Sequence, residues 1–295
     1  MGKESKIEWT DGTWNPWRGC LHVSPGCFNC YMYDDQRRYG RDPAKVVRCS
    51  DDVFRRPLKW NSDPTSMSAA DGWRGRRLIF TSSWTDFFIK EADPWRGEAW
   101  DIIRSCENLI FQVLTKRHGR IAKCLPDDWA DGYDNVWLGV SGEDHDWAMR
   151  RVRAAAQVPA AVRYLSYEPA LGPVDWDRLF DIEDPLTGGS AIDWVIIGGE
   201  SGHNARTFNI AWARLAVEAC QRRGVAAFVK QLGRRPVEVD VSVEQLVGGD
   251  GRVVVDVDAP VVPGRVVQLR DRKGGDWGEW PVDLRVRQWP GRAAA

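Results

Sequence analysis

Three cysteines lie within eleven residues of the chain, in the segment CLHVSPGCFNC. Cys20, Cys27 and Cys30 have the spacing C-x6-C-x2-C, and thiolates this close together in a reducing compartment bind metal ions. Structural zinc requires four ligands, for which His22 or Cys49 would be available as the fourth. An iron–sulfur cluster held by three cysteines would keep one iron open to an outside ligand, as catalysis requires. The segment therefore predicts a metal site and leaves both metals in consideration.

A second set of polar residues follows six short apolar segments, each at the point where the segment ends. We predict that these segments are parallel β-strands, and in a βα barrel the carboxyl ends of the strands form the active site. Each residue alone would also suit the start of the next helix as a cap, but six successive occurrences predict one shared site. The residues are Ser82, Ser83 and Asp86; Thr115, Lys116 and Arg117; Ser141, Glu143 and Asp144; Glu168; Glu200 and Ser201; and Lys230 and Gln231.

The elements that must position these residues are visible as a repeated hydrophobic pattern. Six runs lack clear alternation, which is typical of strands buried on both faces of a parallel sheet. Their starts recur roughly every 30 residues, the length of one βα unit. Helical periodicity between them is clearest in DWAMRRVRAAAQ and NIAWARLAVEACQRRG. The runs are LIFTSS (78–83), LIFQVLTK (109–116), VWLGVS (136–141), VRYLSYE (162–168), WVIIGGE (194–200) and AAFVKQ (226–231), with a further strand expected near residues 14–20.

Repeated βα units favour an α/β fold whose strands form a full or partial (βα) barrel over residues 1–235. Beyond that point the pattern changes, because residues 237–267 are rich in valine and VGGDGRVVV predicts a β-hairpin with a glycine turn. We interpret residues 236–295 as a small C-terminal extension that contains β-structure and packs on the barrel. Cys106 and Cys220 fall on the apolar faces of predicted helices and are expected in the core.

The bulk composition excludes some partners and locations. The net charge is −1, from 41 basic and 42 acidic residues, so charge does not indicate nucleic acid, although local arginine groups leave such a partner open. The chain has no apolar run of the roughly 20 residues that span a bilayer and no signal peptide. Seven cysteines without a secretory signal do not suggest a disulfide framework. We therefore expect a cytoplasmic protein without a membrane partner.

The cysteine segment resembles the cluster loop of the radical S-adenosylmethionine superfamily. Three cysteines follow the first predicted barrel strand and an aromatic residue, Tyr31, follows the last of them, although the first gap is three residues longer than the usual C-x3-C-x2-C. The chain also resembles, over nearly its whole length, a phage and bacterial family with a three-cysteine motif. The segments that carry this second resemblance are IEWTDGTWNPWRGCLHVSPGCFNCY, FTSSWTDFF, FQVLTKR, VWLGVSGED, LSYEPALGPV, WVIIGGESG, FVKQLG and DRKGGDWGEWPVDLRVRQWP.

The superfamily resemblance implies a barrel of radical-SAM type in which Cys20, Cys27 and Cys30 hold a [4Fe–4S] cluster and the fourth iron binds S-adenosylmethionine. An electron from a reductant such as flavodoxin or ferredoxin would then generate a 5′-deoxyadenosyl radical that modifies an unknown substrate, with nucleotides or nucleic acid as a candidate class. From their positions, we expect Lys116, Glu168 and Glu200 to be catalytic. The expected contacts to S-adenosylmethionine are Ser82, Ser83, Asp86, Lys116, Arg117, Ser141, Glu143, Gly198, Gly199 and Glu200, the last three forming a GGE motif.

Two other functions are compatible with the same residues. A zinc-stabilised barrel could use its polar rim for binding, with nucleic acid as one ligand class, and would perform no catalysis. A barrel hydrolase or lyase could use Glu168 and Glu200 as general acid and base, with the cysteines merely structural. The metal content separates the zinc protein from the radical enzyme, and activity in air without S-adenosylmethionine identifies the hydrolase.

Overall fold

The computed structural model describes residues 4–63, 75–238 and 264–291. The fold is mixed α/β, and seven of its strands form one sheet in the order β1-β4-β5-β6-β7-β8-β10. These strands are β1 (Gly12–Trp14), β4 (Arg77–Thr81), β5 (Leu109–Thr115), β6 (Val136–Ser141), β7 (Val162–Tyr167), β8 (Trp194–Gly198) and β10 (Ala226–Gln231). The order follows the chain without the reversal of a doubly wound sheet. Because β1 and β10 end the order, the described strands are compatible with a partial and not a closed (βα) barrel.

All six predicted strand runs are confirmed, with bounds within two residues of those expected from the sequence. The strands β4, β6, β7 and β8 are buried at every position, as expected where helices or loops cover both faces of a parallel sheet. The pairings β1–β4, β4–β5, β7–β8 and β8–β10 are parallel. Short apolar runs therefore predicted the sheet correctly.

The single strand expected near residues 14–20 is instead divided in two. The strand β1 ends at Trp14, and β2 (Trp17–Arg18) pairs antiparallel with β3 (Val47–Arg48). Pro16 lies between them and has no backbone N–H to donate to a sheet ladder, although its carbonyl accepts a hydrogen bond from the N–H of Cys49 at 2.9 Å.

The helices α5 (His145–Ala156) and α7 (Ile210–Arg223) begin at residues whose side chains cap them. In α5 the Asp144 carboxylate accepts the N–H of Trp147 at 2.9 Å, and in α7 the Asn209 side chain accepts the N–H of Ala211 at 3.0 Å. Gly224 ends α7 with a φ of 67°, a left-handed conformation that glycine adopts without strain. The helices are α1 (Tyr31–Arg38), α2 (Asp51–Phe54), α3 (Arg56–Ser62), α4 (Asp93–Arg104), α5 (His145–Ala156), α6 (Trp176–Phe180) and α7 (Ile210–Arg223).

The chain divides into two compact units, each with its own interior. The first comprises Met1–Gly139 and Val158–Arg163, and its core contains Trp14, whose indole N–H donates to the carbonyl of Phe54 at 3.1 Å. Cys106 belongs to this core, with no exposed surface. Its burial confirms the expected place in the core, although α4 ends at Arg104 and Cys106 lies beyond the helix.

The second unit comprises Val140–Gln157 and Tyr164–Ala295. It contains Cys220, which is fully buried as expected. It also contains a small sheet in the order β12-β11-β9, made of β9 (Phe208–Asn209), β11 (Pro236–Glu238) and β12 (Arg265–Val266). The hairpin predicted from VGGDGRVVV lies outside the described residues, and the domain boundary expected at residue 235 stays a prediction. No helix in the described part of the chain has the length and apolar character needed to cross a membrane.

Candidate functional site

The three cysteines lie in the loop between β2 and α1, in the first unit. The N–H of Cys27 donates to the carbonyl of Ser24 at 2.9 Å, and the N–H of Cys30 donates to the carbonyl of Cys27 at 3.3 Å. Cys30 is also the residue that precedes α1, and its carbonyl accepts the N–H of Tyr33 at 3.0 Å. Cys27 and Cys30 are therefore held in successive turns that run directly into the helix.

Tyr33 ties the first cysteine to the same helix. Its hydroxyl donates to the carbonyl of Cys20 at 2.5 Å, and its ring packs against His22 with the ring centroids 4.4 Å apart. Gly19 has a φ of 91°, and a Cβ there would overlap the carbonyl oxygen of Lys45. The sequence therefore needs glycine immediately before Cys20 for the loop to pass this point.

The predicted residues Asp86 and Arg117 lie together beside Cys20. The Nη1 of Arg117 is 3.7 Å from the Sγ of Cys20 and 3.2 Å from Oδ2 of Asp86. Asp86 also accepts the Thr115 hydroxyl at 2.7 Å and the N–H of Lys116 at 2.9 Å. The ends of β4 and β5 thus meet at one polar cluster next to the cysteine loop.

The thiols lie in an environment that disfavours isolated thiolates. Burial raises the pKa of Cys20 to about 12, and the charges of Asp86, Cys30 and Cys27 act in the same direction, whereas Arg117 opposes them. Burial also raises the pKa of Cys30, and the ammonium of Lys116 opposes this shift. Each thiolate therefore needs compensating positive charge, which a metal would supply.

Ser82 and Ser83 lie at the end of β4. Ser82 is 4% exposed with a φ of 75°, and its hydroxyl has no hydrogen-bond partner within the described residues. The Ser83 hydroxyl accepts the side-chain N–H of Asn15 at 2.9 Å, and its carbonyl accepts the Tyr31 hydroxyl at 2.9 Å. Ser83 therefore contacts residues on either side of the cysteine loop, whereas the Ser82 hydroxyl makes no hydrogen bond within the described residues.

In the second unit, Ser141 and Glu143 both accept hydrogen bonds from a buried arginine, Arg151. The Nη1 of Arg151 donates to the Ser141 carbonyl at 2.8 Å and to Oε2 of Glu143 at 2.9 Å. Both side chains of the Glu143–Arg151 pair are 0% exposed. Their geometry holds the end of β6 on α5.

Glu168 forms an ion pair with Lys230, with Nζ and Oε1 3.0 Å apart and side chains that are 13% and 22% exposed. The carboxylate lies over Gly198, where a Cβ would approach Oε1 to 2.6 Å. The sheet register shifts between Val229 and Gln231, so Lys230 occupies a bulge, a feature that redirects side chains. The ends of β7, β8 and β10 therefore assemble a second polar cluster.

The remaining GGE residues lie in the loop that follows β8. Glu200 accepts the backbone N–H of Arg206 at 2.7 Å and pairs with its guanidinium. A Cβ on Gly199 would approach the Phe208 side chain to 2.8 Å. Glu168 and Glu200 thus each have a basic partner of their own, Lys230 and Arg206.

Three further residues at these sites escaped the sequence analysis. Tyr33, on α1, contacts the predicted residue Cys20, and Arg206 contacts the predicted residue Glu200. Both contacts depend on loops that fold back, for which the sequence has no periodic signal. Tyr164 is fully buried, and its hydroxyl has no partner among the described residues. Alternation along β7 places it on the same face as Ser166 and Glu168, and that signal was available.

Within the described residues, no group of three or more His, Cys, Asp or Glu side chains is arranged closely enough to hold a metal ion. The donor chemistry nevertheless fits a thiophilic metal, because three thiols lie in one loop and cysteine thiolates are the ligands of structural zinc and of iron–sulfur clusters. The three cysteines thus supply a suitable set of donors, but in this structure their sulfur atoms are not close enough together to form a metal site.

Comparison with known sequences identifies a family. The match covers residues 4–268 and therefore includes the cysteine loop, both polar clusters and all seven strands of the main sheet. No curated protein sequence and no solved structure matches the chain. The chain belongs to the DUF5131 family, whose members are described as proteins of unknown function.

Proposed function

We propose that this chain is a radical S-adenosylmethionine enzyme whose [4Fe–4S] cluster is held by Cys20, Cys27 and Cys30. The observation that carries the proposal is the shared environment of the three thiols. Cys27 and Cys30 lie in successive turns that run into α1, and Cys20 is tied to the same helix by the Tyr33 hydroxyl, which donates to its carbonyl at 2.5 Å. The proposal requires these sulfurs to converge when the metal binds.

The cluster and S-adenosylmethionine would supply the electron and the radical that abstracts hydrogen from a substrate. The residues of the chain have the remaining tasks of binding and orientation. Lys116 follows β5, and its backbone N–H donates to the same Asp86 carboxylate that holds Arg117; its ammonium would attract an anionic group near the cluster. The unused hydroxyl of Ser82 offers a hydrogen bond to a ligand at the end of β4.

In the second unit, Glu168 and Glu200 remain the candidate catalytic carboxylates, with Gly198 allowing close approach at the first of them. We propose a nucleotide or nucleic acid as the substrate class, a small electron-transfer protein as the reductant and the reducing cytoplasm as the location. The reducing compartment would keep the half-buried thiols of Cys20 and Cys30 available for iron.

The decisive experiment is anaerobic purification followed by reconstitution with iron and sulfide. We expect about four irons per chain and a broad visible absorption band, as for other [4Fe–4S] proteins. Cys27→Ala should lose both. Cys124→Ala is the matched control, since Cys124 is a half-buried cysteine outside the loop, and it should retain the wild-type iron content.

Addition of dithionite and S-adenosylmethionine to the reconstituted protein should then release 5′-deoxyadenosine. One tightly bound zinc and no iron would overturn the proposal and support a zinc-stabilised binding protein. Turnover of a substrate in air, without S-adenosylmethionine and unaffected by Cys27→Ala, would instead support a hydrolase or lyase.

A further inference from the structure

Arg117 contacts the cysteine loop through several atoms of its guanidinium group. Besides its contacts to Cys20 and Asp86, its Nη2 donates to the carbonyl of Leu21 at 2.9 Å. The side chain is only 11% exposed. One guanidinium therefore contacts both the sulfur and the backbone of the segment that contains the first cysteine.

Asp86 holds that guanidinium in place. The carboxylate accepts hydrogen bonds from the Thr115 hydroxyl at 2.7 Å and from the N–H groups of Lys116 and Phe88, both at 2.9 Å. The N–H of Arg117 also donates to the Thr115 hydroxyl at 2.8 Å. Since the carboxylate is fixed by the strand ends, the position of the cation beside Cys20 is fixed as well.

We infer that Arg117 is a positioning residue of the cysteine site, whose fixed cation compensates the negative charge that the thiolates of Cys20, Cys27 and Cys30 bring to a bound metal. Groups in the second layer around a metal orient its ligands and tune its affinity and potential. The inference rests on the metal site of the proposed function, although it does not depend on which thiophilic metal binds there.

The chain offers a matched control at Arg120. Its Nη2 lies 3.4 Å from the Sγ of Cys124, and its other contacts are to the carbonyl of Phe88 at 2.8 Å and to Asp93 at 2.6 Å. Arg120 thus contacts a cysteine, a backbone carbonyl and a carboxylate, as Arg117 does, but its cysteine, Cys124, is outside the three-cysteine loop. A general loss of arginine packing should affect both variants equally.

The first measurement is a titration of the metal-free, reduced full-length protein with Co²⁺, followed by the thiolate-to-cobalt charge-transfer band. We expect Arg117→Gln to raise the dissociation constant by about tenfold or more. Arg117→Lys keeps the cation without the planar fork, so it should restore part of the affinity. Arg120→Gln should titrate like the wild type. Circular dichroism of each variant verifies that it is folded.

The second measurement is the midpoint potential of the reconstituted cluster, which a purely structural role for Arg117 would not change. A nearby cation favours the reduced, more negative cluster, so Arg117→Gln should lower the potential. A tenfold loss of relative stability corresponds to about 59 mV for a one-electron couple. Arg117→Lys should lie closer to the wild type, and Arg120→Gln should coincide with it.

The outcomes separate this inference from the proposed function. Iron in the wild type with equal Co²⁺ affinities and potentials for all variants would overturn the inference alone. Cobalt binding that depends on Arg117, in a chain that takes up no iron, would overturn the radical mechanism and support the inference. A wild type that binds neither metal would overturn both.

Discussion

At the scale of single residues, Ser82 combines two features that rarely occur together in a well-packed interior. Its φ of 75° lies in the left-handed region, and its buried hydroxyl has no partner within the described residues. The left-handed conformation costs an L-residue roughly 1–2 kcal/mol. Strain of this kind persists where the surrounding structure enforces it, and it is concentrated at functional sites.

Replacing Ser82 with glycine should therefore stabilise the protein. Glycine removes the left-handed strain of roughly 1–2 kcal/mol and gives back part of it, about 0.5–1 kcal/mol, through a more flexible unfolded chain. The expected net gain in the free energy of unfolding is thus up to about 1.5 kcal/mol. Ser82→Ala keeps the strain and, like the glycine variant, lacks the buried hydroxyl, so the difference in stability between the two variants measures the strain. Urea denaturation of the three proteins measures the difference.

A second strained position provides the control for Ser82. Ala130 has a φ of 45° and is exposed, so Ala130→Gly should gain stability without affecting any ligand. If the Ser82 hydroxyl contacts S-adenosylmethionine, both Ser82 variants should release less 5′-deoxyadenosine than Ala130→Gly. A Ser82→Gly protein that is less stable than the wild type would show that the strain argument is wrong.

At the scale of elements, the end of β8 sets the space available to Glu168. Because a Cβ on Gly198 would stand 2.6 Å from Oε1, Gly198→Ala must displace the carboxylate and weaken its ion pair with Lys230. A partly buried charge that loses its partner costs about 1–3 kcal/mol. Thermal or urea unfolding should show a loss in this range.

The matched control is a glycine that has room for a methyl group. Nothing lies within 4 Å of a Cβ at Gly97, which is inside α4, so Gly97→Ala should stabilise the protein by up to about 1 kcal/mol. Equal effects of the two substitutions on the free energy of unfolding would mean that Gly198 does not set the position of Glu168.

The sequence predicted strands and strand ends far better than it predicted contacts. Continuous apolar runs reflect burial on both faces of the sheet. The bounds of β4 to β8 and of β10 were therefore predicted to within two residues. The partner of each polar residue depends on loops that fold back, as in the pair of Glu200 with Arg206. Asp86 and Arg117 were both predicted as site residues, but only the structure places them against Cys20.

At the scale of the whole molecule, the fold class followed from repetition, whereas the role of the C-terminal segment did not. Repeated βα units are local patterns and can be counted along the chain. Residues 281–291 have no such repeat, and they are held by contacts with residues distant in the sequence. They pair with β10, an edge strand of the main sheet that would otherwise expose unpaired backbone groups.

The contacts of this segment are specific. The N–H of Val229 donates to the carbonyl of Val286, and the N–H of Gln288 donates to the carbonyl of Ala227, both at 2.8 Å. The side chain of Gln288 accepts the N–H of Ala227 at 3.1 Å, and its carbonyl accepts the indole N–H of Trp194 at 2.8 Å. Gln288 thus closes the edge of the sheet through its backbone and its side chain.

Removal of residues 281–295 should therefore destabilise the second unit. The three hydrogen bonds at Gln288, at about 1 kcal/mol each, predict a loss of about 3 kcal/mol before any loss of packing. Gln288→Ala, which removes only the side-chain acceptor, should cost about 1 kcal/mol, whereas Val282→Ala, at a residue 78% exposed, should cost nothing. Urea denaturation followed by tryptophan fluorescence measures all three, and a truncated chain as stable as the full-length protein would show that β10 needs no cover.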